Sequence, residues 1–234
     1  YLPFNDLEAF EQEIDEETAA VMVEVIQGEG GVIPGTEAFL SGLTEICRKN
    51  NALLIIDEVQ TGNGRTGYPF AYLKYPNVKP DIITTAKGLG NGLPIGAVIA
   101  KAELEEAFSP GVHGSTFGGN PISLAASKAV LTKMNDETFL QEVREKSAWF
   151  MDKLKELAER SPAIKEVRGE GFMIGLEMYH ESAPYIMSLQ EQQLLVLTAG
   201  ANVVRLLPPL TVTREELSIA LEKIEEVCGL KVSN

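Results

Sequence analysis

Two stretches of the chain run from apolar, β-branched residues straight into a charged residue and then into glycines: "ALLIIDEVQTGNGRTG" (52–67) and "DIITTAKGLGNGLPIGAVIA" (81–100). A short apolar run bounded by glycine is the texture of a strand inside a sheet. The glycines mark tight turns or a close approach of backbone to a ligand. "AAVMVEVIQGEGG" (19–31) has the same texture and is expected to be one strand buried on both faces. Between the first two of these runs lies "GTEAFLSGLTEICRKNN" (35–51), with Phe39, Leu40, Leu43, Ile46 and Cys47 at helical spacing. Strand, helix and strand joined by short turns imply an α/β fold, a mainly parallel sheet flanked by helices. Ligands of such sheets bind beyond the carboxyl ends of the strands, where Asp57 and Lys87 are expected.

The texture changes after "GNPISLAASKAVL" (119–131), a helix opened by Pro121. A long charged amphipathic helix capped by Asp136 is predicted over 135–160, a strand pair over "IKEVRGEGFMIGLEM" (164–178), a strand in "ANVVRLLPPL" (201–210) and a closing helix over 213–230. The chain therefore divides near residue 130, with part of a large α/β domain over 1–130 and a C-terminal α+β small domain over 131–234. The large-domain part offers few strands for a wide sheet, so either the domain is small or the sequence is a fragment of a longer chain.

A formal charge of −14 disfavours nucleic acid or an anionic membrane as main partner, since both need basic surface. No apolar run approaches the roughly 20 residues of a membrane span. Cys47 and Cys228 sit in amphipathic stretches without CxxC spacing and read as reduced core thiols of a cytoplasmic protein. His113 and His180 have no ligand cluster around them, so no metal site is expected.

Lys87 is the first chemical candidate. A phosphate loop places its glycines before the lysine; here Gly88, Gly90 and Gly92 follow it, and GxGxxG spacing is absent. Two readings stay open: a surface lysine at a turn, or a desolvated amine able to attack an aldehyde. Asp57 bears on the choice, because a carboxylate ending a buried strand needs a partner. That partner is either an arginine such as Arg65 or a protonated heterocyclic nitrogen. Pyridoxal phosphate asks for such a lysine and such an acid together. Arg205 in "VVRLLPP" is an arginine within an apolar strand, which must pair and suits a carboxylate bidentately.

"LLIIDEVQTGNGRTG", "PDIITTAKGLGNGLPIGAVIA" and "GSTFGGNP", in this order and spacing, resemble the class III pyridoxal-phosphate-dependent aminotransferases of fold type I, over essentially the whole chain. The resemblance implies pyridoxal 5'-phosphate as cofactor, with Lys87 bonded to its aldehyde and Asp57 paired with its ring nitrogen. Val59 would pack on a ring face, Gln60 donate to the ring's phenolic oxygen, and Thr116 bind the phosphate, in this family from the neighbouring subunit of a homodimer. Ser115 would reach the substrate; turn or cap roles for Ser115 and Thr116 stay open. Arg205 would hold a substrate carboxylate, with Glu29 neutralising it in one half-reaction and swinging away in the other; a permanent Glu29–Arg205 bridge is the alternative.

The ending "TAGANVVRLLPPLTVTREEL" is nearest to members acting on N-acetylornithine. The implied reaction moves the terminal amine of that amino acid to 2-oxoglutarate, giving N-acetylglutamate semialdehyde and glutamate in arginine biosynthesis. Ornithine, succinylornithine or 4-aminobutyrate are alternative donors. The second alternative is a truncated, non-catalytic homologue acting as an interaction partner. Family members carry a phosphate loop, a ring-stacking aromatic and a second substrate arginine ahead of the position of Tyr1, so the resemblance implies that the chain is the C-terminal portion of a longer enzyme.

Overall fold

A computed structural model describes residues 1–229. Its helices are α1 (Leu7–Glu13), α2 (Glu37–Lys49), α3 (Pro121–Met134), α4 (Glu137–Ala158), α5 (Ala183–Glu191) and α6 (Arg214–Val227). Its strands are β1 (Ala20–Glu24), β2 (Ile26–Gln27), β3 (Ile33–Pro34), β4 (Leu53–Asp57), β5 (Ile82–Thr85), β6 (Ala97–Ala100), β7 (Ile164–Glu170), β8 (Met173–Met178), β9 (Leu197–Ala199) and β10 (Val203–Leu206). They gather into two compact units, one formed by residues 1–25, 35–64 and 68–137, the other by 26–34, 65–67 and the chain from 138 onward.

The first unit is built on the sheet β1-β4-β5-β6, in which β1, β4 and β5 run parallel and β6 antiparallel. Thr36 starts α2 by accepting the Phe39 amide at 3.2 Å, and the helix buries the five residues that share one face, Phe39, Leu40, Leu43, Ile46 and Cys47. Phe4 and Phe10 meet Phe39 edge-on at 5.1 and 5.4 Å between centroids, which ties the segment before β1 to that helix. The expectation of one doubly buried strand over 19–31 needs correction. The run is two strands, broken at Val25, and burial alternates along β1: Val21 and Val23 are buried while Met22 is 59% exposed. Among the described residues β1 is an edge strand with one covered face, and its apolar side chains on the other face gave the run its two-sided look.

The second unit holds an antiparallel sheet, β7-β8-β10-β9, and the short β2–β3 hairpin. Leu140, Val143, Phe150, Leu154 and Leu157 form the buried stripe of α4, and Phe150, Leu154 and Leu157 share a core with Phe172, Ile174, Leu176 and Met178. Truncating a ring such as Phe150 to alanine in a core of this kind costs about 3–5 kcal/mol. A capping box opens α6: Thr213 accepts the Glu216 amide at 3.1 Å while Glu216 accepts the Thr213 amide at 2.8 Å. Residues 65–67 belong to this unit because Arg65 is bonded into it. Its carbonyl accepts the Phe172 amide at 2.9 Å, and its guanidinium donates to the carbonyls of Phe172 and Pro208 at 3.2 and 2.5 Å. Gly171, at φ +57°, admits that approach; a Cβ there would lie 2.4 Å from the Thr66 Cα.

Helices α1 and α5 and strand β9 were not anticipated from the sequence. The expected closing helix appears as α6; residue 230 of that expectation, and the end of the 131–234 domain expectation, lie outside the described residues. Asp136, expected as a cap, stands just before α4 and takes the Lys133 ammonium at 3.0 Å. Among the described residues, no helix is long and apolar enough to cross a membrane.

Candidate active site

Asp57 is the last residue of β4 and the register partner of Thr84 in β5, so Asp57 and the Lys87 turn lie at the carboxyl ends of adjacent parallel strands. The Asp57 carboxylate is half-buried. Its Oδ1 accepts the Val59 amide at 2.9 Å and the Thr84 hydroxyl at 3.2 Å; its Oδ2 takes no hydrogen bond among the described residues. Arg65, the sequence-level alternative partner, spends its guanidinium on backbone carbonyls, and burial pulls its pKa down to about 10. Val59 and Gln60 follow in the turn, both half-buried.

Lys87 opens a short 3₁₀ turn after β5 with φ at +44°, and its side chain is exposed. Its left-handed backbone is set by neighbours the sequence reading missed. Asn63, itself at φ +55° and 7% exposed, donates from its amide to the Thr85 hydroxyl at 3.0 Å and the Ala86 carbonyl at 3.2 Å. Gly88 lets Asn63 sit close, since a Cβ there would be 3.2 Å from the Asn63 Cβ. On the far side of the loop, the Ser123 hydroxyl at the start of α3 donates to the Pro94 carbonyl at 3.0 Å. An asparagine between two glycines was the available signal, because asparagine tolerates the left-handed region and bonds locally.

Glu58 is the other omission. It is fully buried, and it accepts the Tyr72 amide at 2.8 Å and the Thr61 hydroxyl at 2.5 Å, with the Ala71 amide also directed at it. Burial pushes its pKa up, against the lowering effect of these donors. The loop after β4 is thus folded around a carboxyl group. Burial, then the Glu58 charge, raises the Tyr72 pKa in turn.

Ser115 and Thr116 lie on an exposed stretch ahead of α3, where the Ser115 hydroxyl accepts the Gly118 amide at 3.1 Å. No described contact joins them to Lys87 or Asp57. In the second unit the expected pair does meet: Arg205, 6% exposed on β10, donates from Nη1 to Glu29 Oε1 at 2.7 Å. Glu29 sits in the turn between β2 and β3 with its side chain 72% exposed. A buried cation therefore faces a carboxylate on a largely solvent-exposed side chain.

The sequence matches the family described as Aminotransferase class-III over residues 3–228. It is 53% identical over 227 residues to an acetylornithine aminotransferase of Listeria innocua, covering 97% of this chain and 59% of the relative. To one of Bacillus cereus it is 52% identical over 234 residues, covering 100% and 60%. Among solved structures, Plasmodium falciparum ornithine delta-aminotransferase superposes with a TM-score of 0.91 at 36% identity, covering 97% of this chain and 59% of that one. Acetylornithine aminotransferase from Elizabethkingia anophelis gives 0.89 at 36% identity, covering 97% and 58%. The chain thus spans about three-fifths of the length of the relatives it matches. On its motifs, its mainly parallel first sheet and this extended match, the chain belongs to the class-III aminotransferases.

Proposed function

We infer that the protein carrying this chain is a pyridoxal-phosphate-dependent transaminase that passes the terminal amine of N-acetylornithine to 2-oxoglutarate. The observation that carries the reading is the arrangement at the strand ends: an acid that ends β4 with one oxygen held by two hydrogen bonds, and a lysine in the turn that follows the adjacent parallel strand β5. The residues fit the cofactor's needs, since Asp57 Oδ2 offers an acceptor for a protonated ring nitrogen and the Lys87 side chain is exposed at the end of the neighbouring strand. When bound, the cofactor would supply an electrophilic aldehyde and a ring that accepts electrons.

Lys87 Nζ would hold that aldehyde and relay the proton at the substrate carbon. Asp57 would keep the ring nitrogen protonated, Val59 would cover a ring face and Gln60 would donate to the ring's phenolic oxygen. Thr116 would bind the phosphate of a partner subunit in a homodimer, and Ser115 would contact substrate. Arg205 would bind the substrate carboxylate bidentately, released by Glu29 when a dicarboxylate enters and neutralised by it otherwise. The location in this reading is the cytoplasm.

The likeness to ornithine aminotransferases supports a second reading with free ornithine as donor. Turnover of the full-length protein with each amine separates the two. Lys87→Ala is expected to abolish both turnover and the visible absorption of lysine-bound cofactor; survival of either would refute the role of Lys87.

A further inference from the structure

We propose that Arg168 is a positioning residue for Glu29, holding the turn that presents this carboxylate to Arg205. The inference rests on the reading that Glu29 and a substrate carboxylate alternate on Arg205.

Arg168 lies on β7 with its side chain 15% exposed, and its guanidinium is used on two sides. Nε donates to the carbonyls of Gly31 and Val32 at 3.0 and 3.2 Å, and Nη2 donates to Gly31 at 2.8 Å. Nη1 is drawn the other way by Glu177, and by Glu166 at 2.7 Å. The planar fork therefore ties the turn between β2 and β3 to a pair of acids on the sheet, a geometry that a lysine's single ammonium cannot copy.

The clamped peptide is strained. Val32 is fully buried with φ at +52°, and a β-branched residue in the left-handed region is an outlier that persists only where its surroundings hold it. Its surroundings are Arg168 on the carbonyl side and Gly175 on the other, where a Cβ would come within 2.9 Å of the Val32 Cβ. Gly175 is the register partner of Arg205. The turn carrying Glu29 is thus fixed, through Val32, against the residue opposite Arg205. Because Glu29 competes with a substrate carboxylate for the same guanidinium, the population of the closed pair sets the balance between the two substrates. Loosening the clamp lowers that population, which favours the dicarboxylate and disfavours the amine donor.

The experiment is Arg168→Lys in the full-length holoenzyme, alone and combined with Glu29→Gln, with KM measured for the amine donor and for 2-oxoglutarate. The ratio of donor KM to 2-oxoglutarate KM should rise about three- to tenfold in Arg168→Lys, the net worth of roughly one hydrogen bond. It should rise further in Glu29→Gln, and Arg168→Lys should add nothing in that background. Exchange of the Val32 amide, bonded to Gly28 at 3.3 Å, should quicken in the same variant. Should Arg168→Lys prevent folding, Glu177→Gln loosens the opposite side of the fork and should move the ratio the same way. An equal shift in the Glu29→Gln background, or no shift in the wild-type one, overturns the positioning role alone. A Glu29→Gln variant with an unchanged ratio removes the alternation itself and takes the inference with it.

Discussion

Replacing Glu58 by alanine is expected to destabilise the first unit substantially, although the residue is assigned no part in the chemistry. The carboxyl group is the acceptor for the Tyr72 amide at 2.8 Å and the Thr61 hydroxyl at 2.5 Å, and the Ala71 amide is directed at it as well. A hydroxyl can rotate to another acceptor, but two backbone amides cannot. A buried donor left without an acceptor costs about 1–3 kcal/mol, so the pair forfeits roughly 2–6 kcal/mol. Removing a carboxyl group that burial already disfavours as an anion returns part of this, which leaves about 2–4 kcal/mol. Glu58→Gln retains an oxygen for Tyr72 and can donate to Thr61, so its loss should be smaller.

The pH dependence provides the sharper check. Burial raises the Glu58 pKa, so the folded state keeps this proton to higher pH than the unfolded state does. Its stabilising contribution is complete below the ordinary carboxylate value, 4.5, and declines as pH rises through the raised one. Glutamine has no such dependence, so the advantage of wild type over Glu58→Gln should shrink from about pH 4.5 upward. Urea unfolding followed by far-UV circular dichroism across that range measures it, with exchange of the Ala71 and Tyr72 amides as the local probe. Parallel pH profiles for wild type and Glu58→Gln, or an alanine variant within about 0.5 kcal/mol of wild type, would refute the reasoning.

Asn63→Ala removes two hydrogen bonds and places a Cβ-bearing residue without a local partner at φ +55°, for an expected loss of about 2–3 kcal/mol by urea unfolding. Asn63→Gly relieves only the backbone part and should recover less than half of it. The thiols of Cys47 and Cys228 are buried, and burial pushes both up to about 11 from 9.0. That is about a hundredfold less thiolate than an ordinary cysteine near neutral pH, so iodoacetamide should label them slowly in the native protein and rapidly in denaturant. Equal rates in both conditions would show that the burial is wrong.

How much of this was legible depended on the range of the interaction. Spacing within one element sufficed for α2, whose five apolar positions are its buried face, and for Asp57 as the terminus of β4. Residue type sufficed for Arg205: an arginine in an apolar strand must find an acid, and it does so 176 positions away. Spacing was mute where the partner is set by turn geometry or by which sheet face is covered. Nothing local marks Tyr72 as the donor to Glu58, or Thr85 as the residue Asn63 holds. The apolar run of β1 looked doubly buried because composition does not say which face of a strand is covered.

The adjacent acids Asp57 and Glu58 show how a strand end can separate structure from chemistry. Consecutive residues leaving an extended strand point to opposite sides. Glu58 turns into the fold, where three donors meet its carboxyl group and burial opposes its ionisation, so it organises the loop. Asp57 turns the other way and is held through Oδ1, while its Oδ2 takes no hydrogen bond among the described residues. The two roles cannot be exchanged by exchanging side chains. Aspartate at 58 would fall one methylene short of the Tyr72 amide, and glutamate at 57 would carry its carboxylate past the Thr84 hydroxyl that fixes it. Order at the strand end, and not acidity as such, decides which of these carboxylates is buried as the scaffold of the loop.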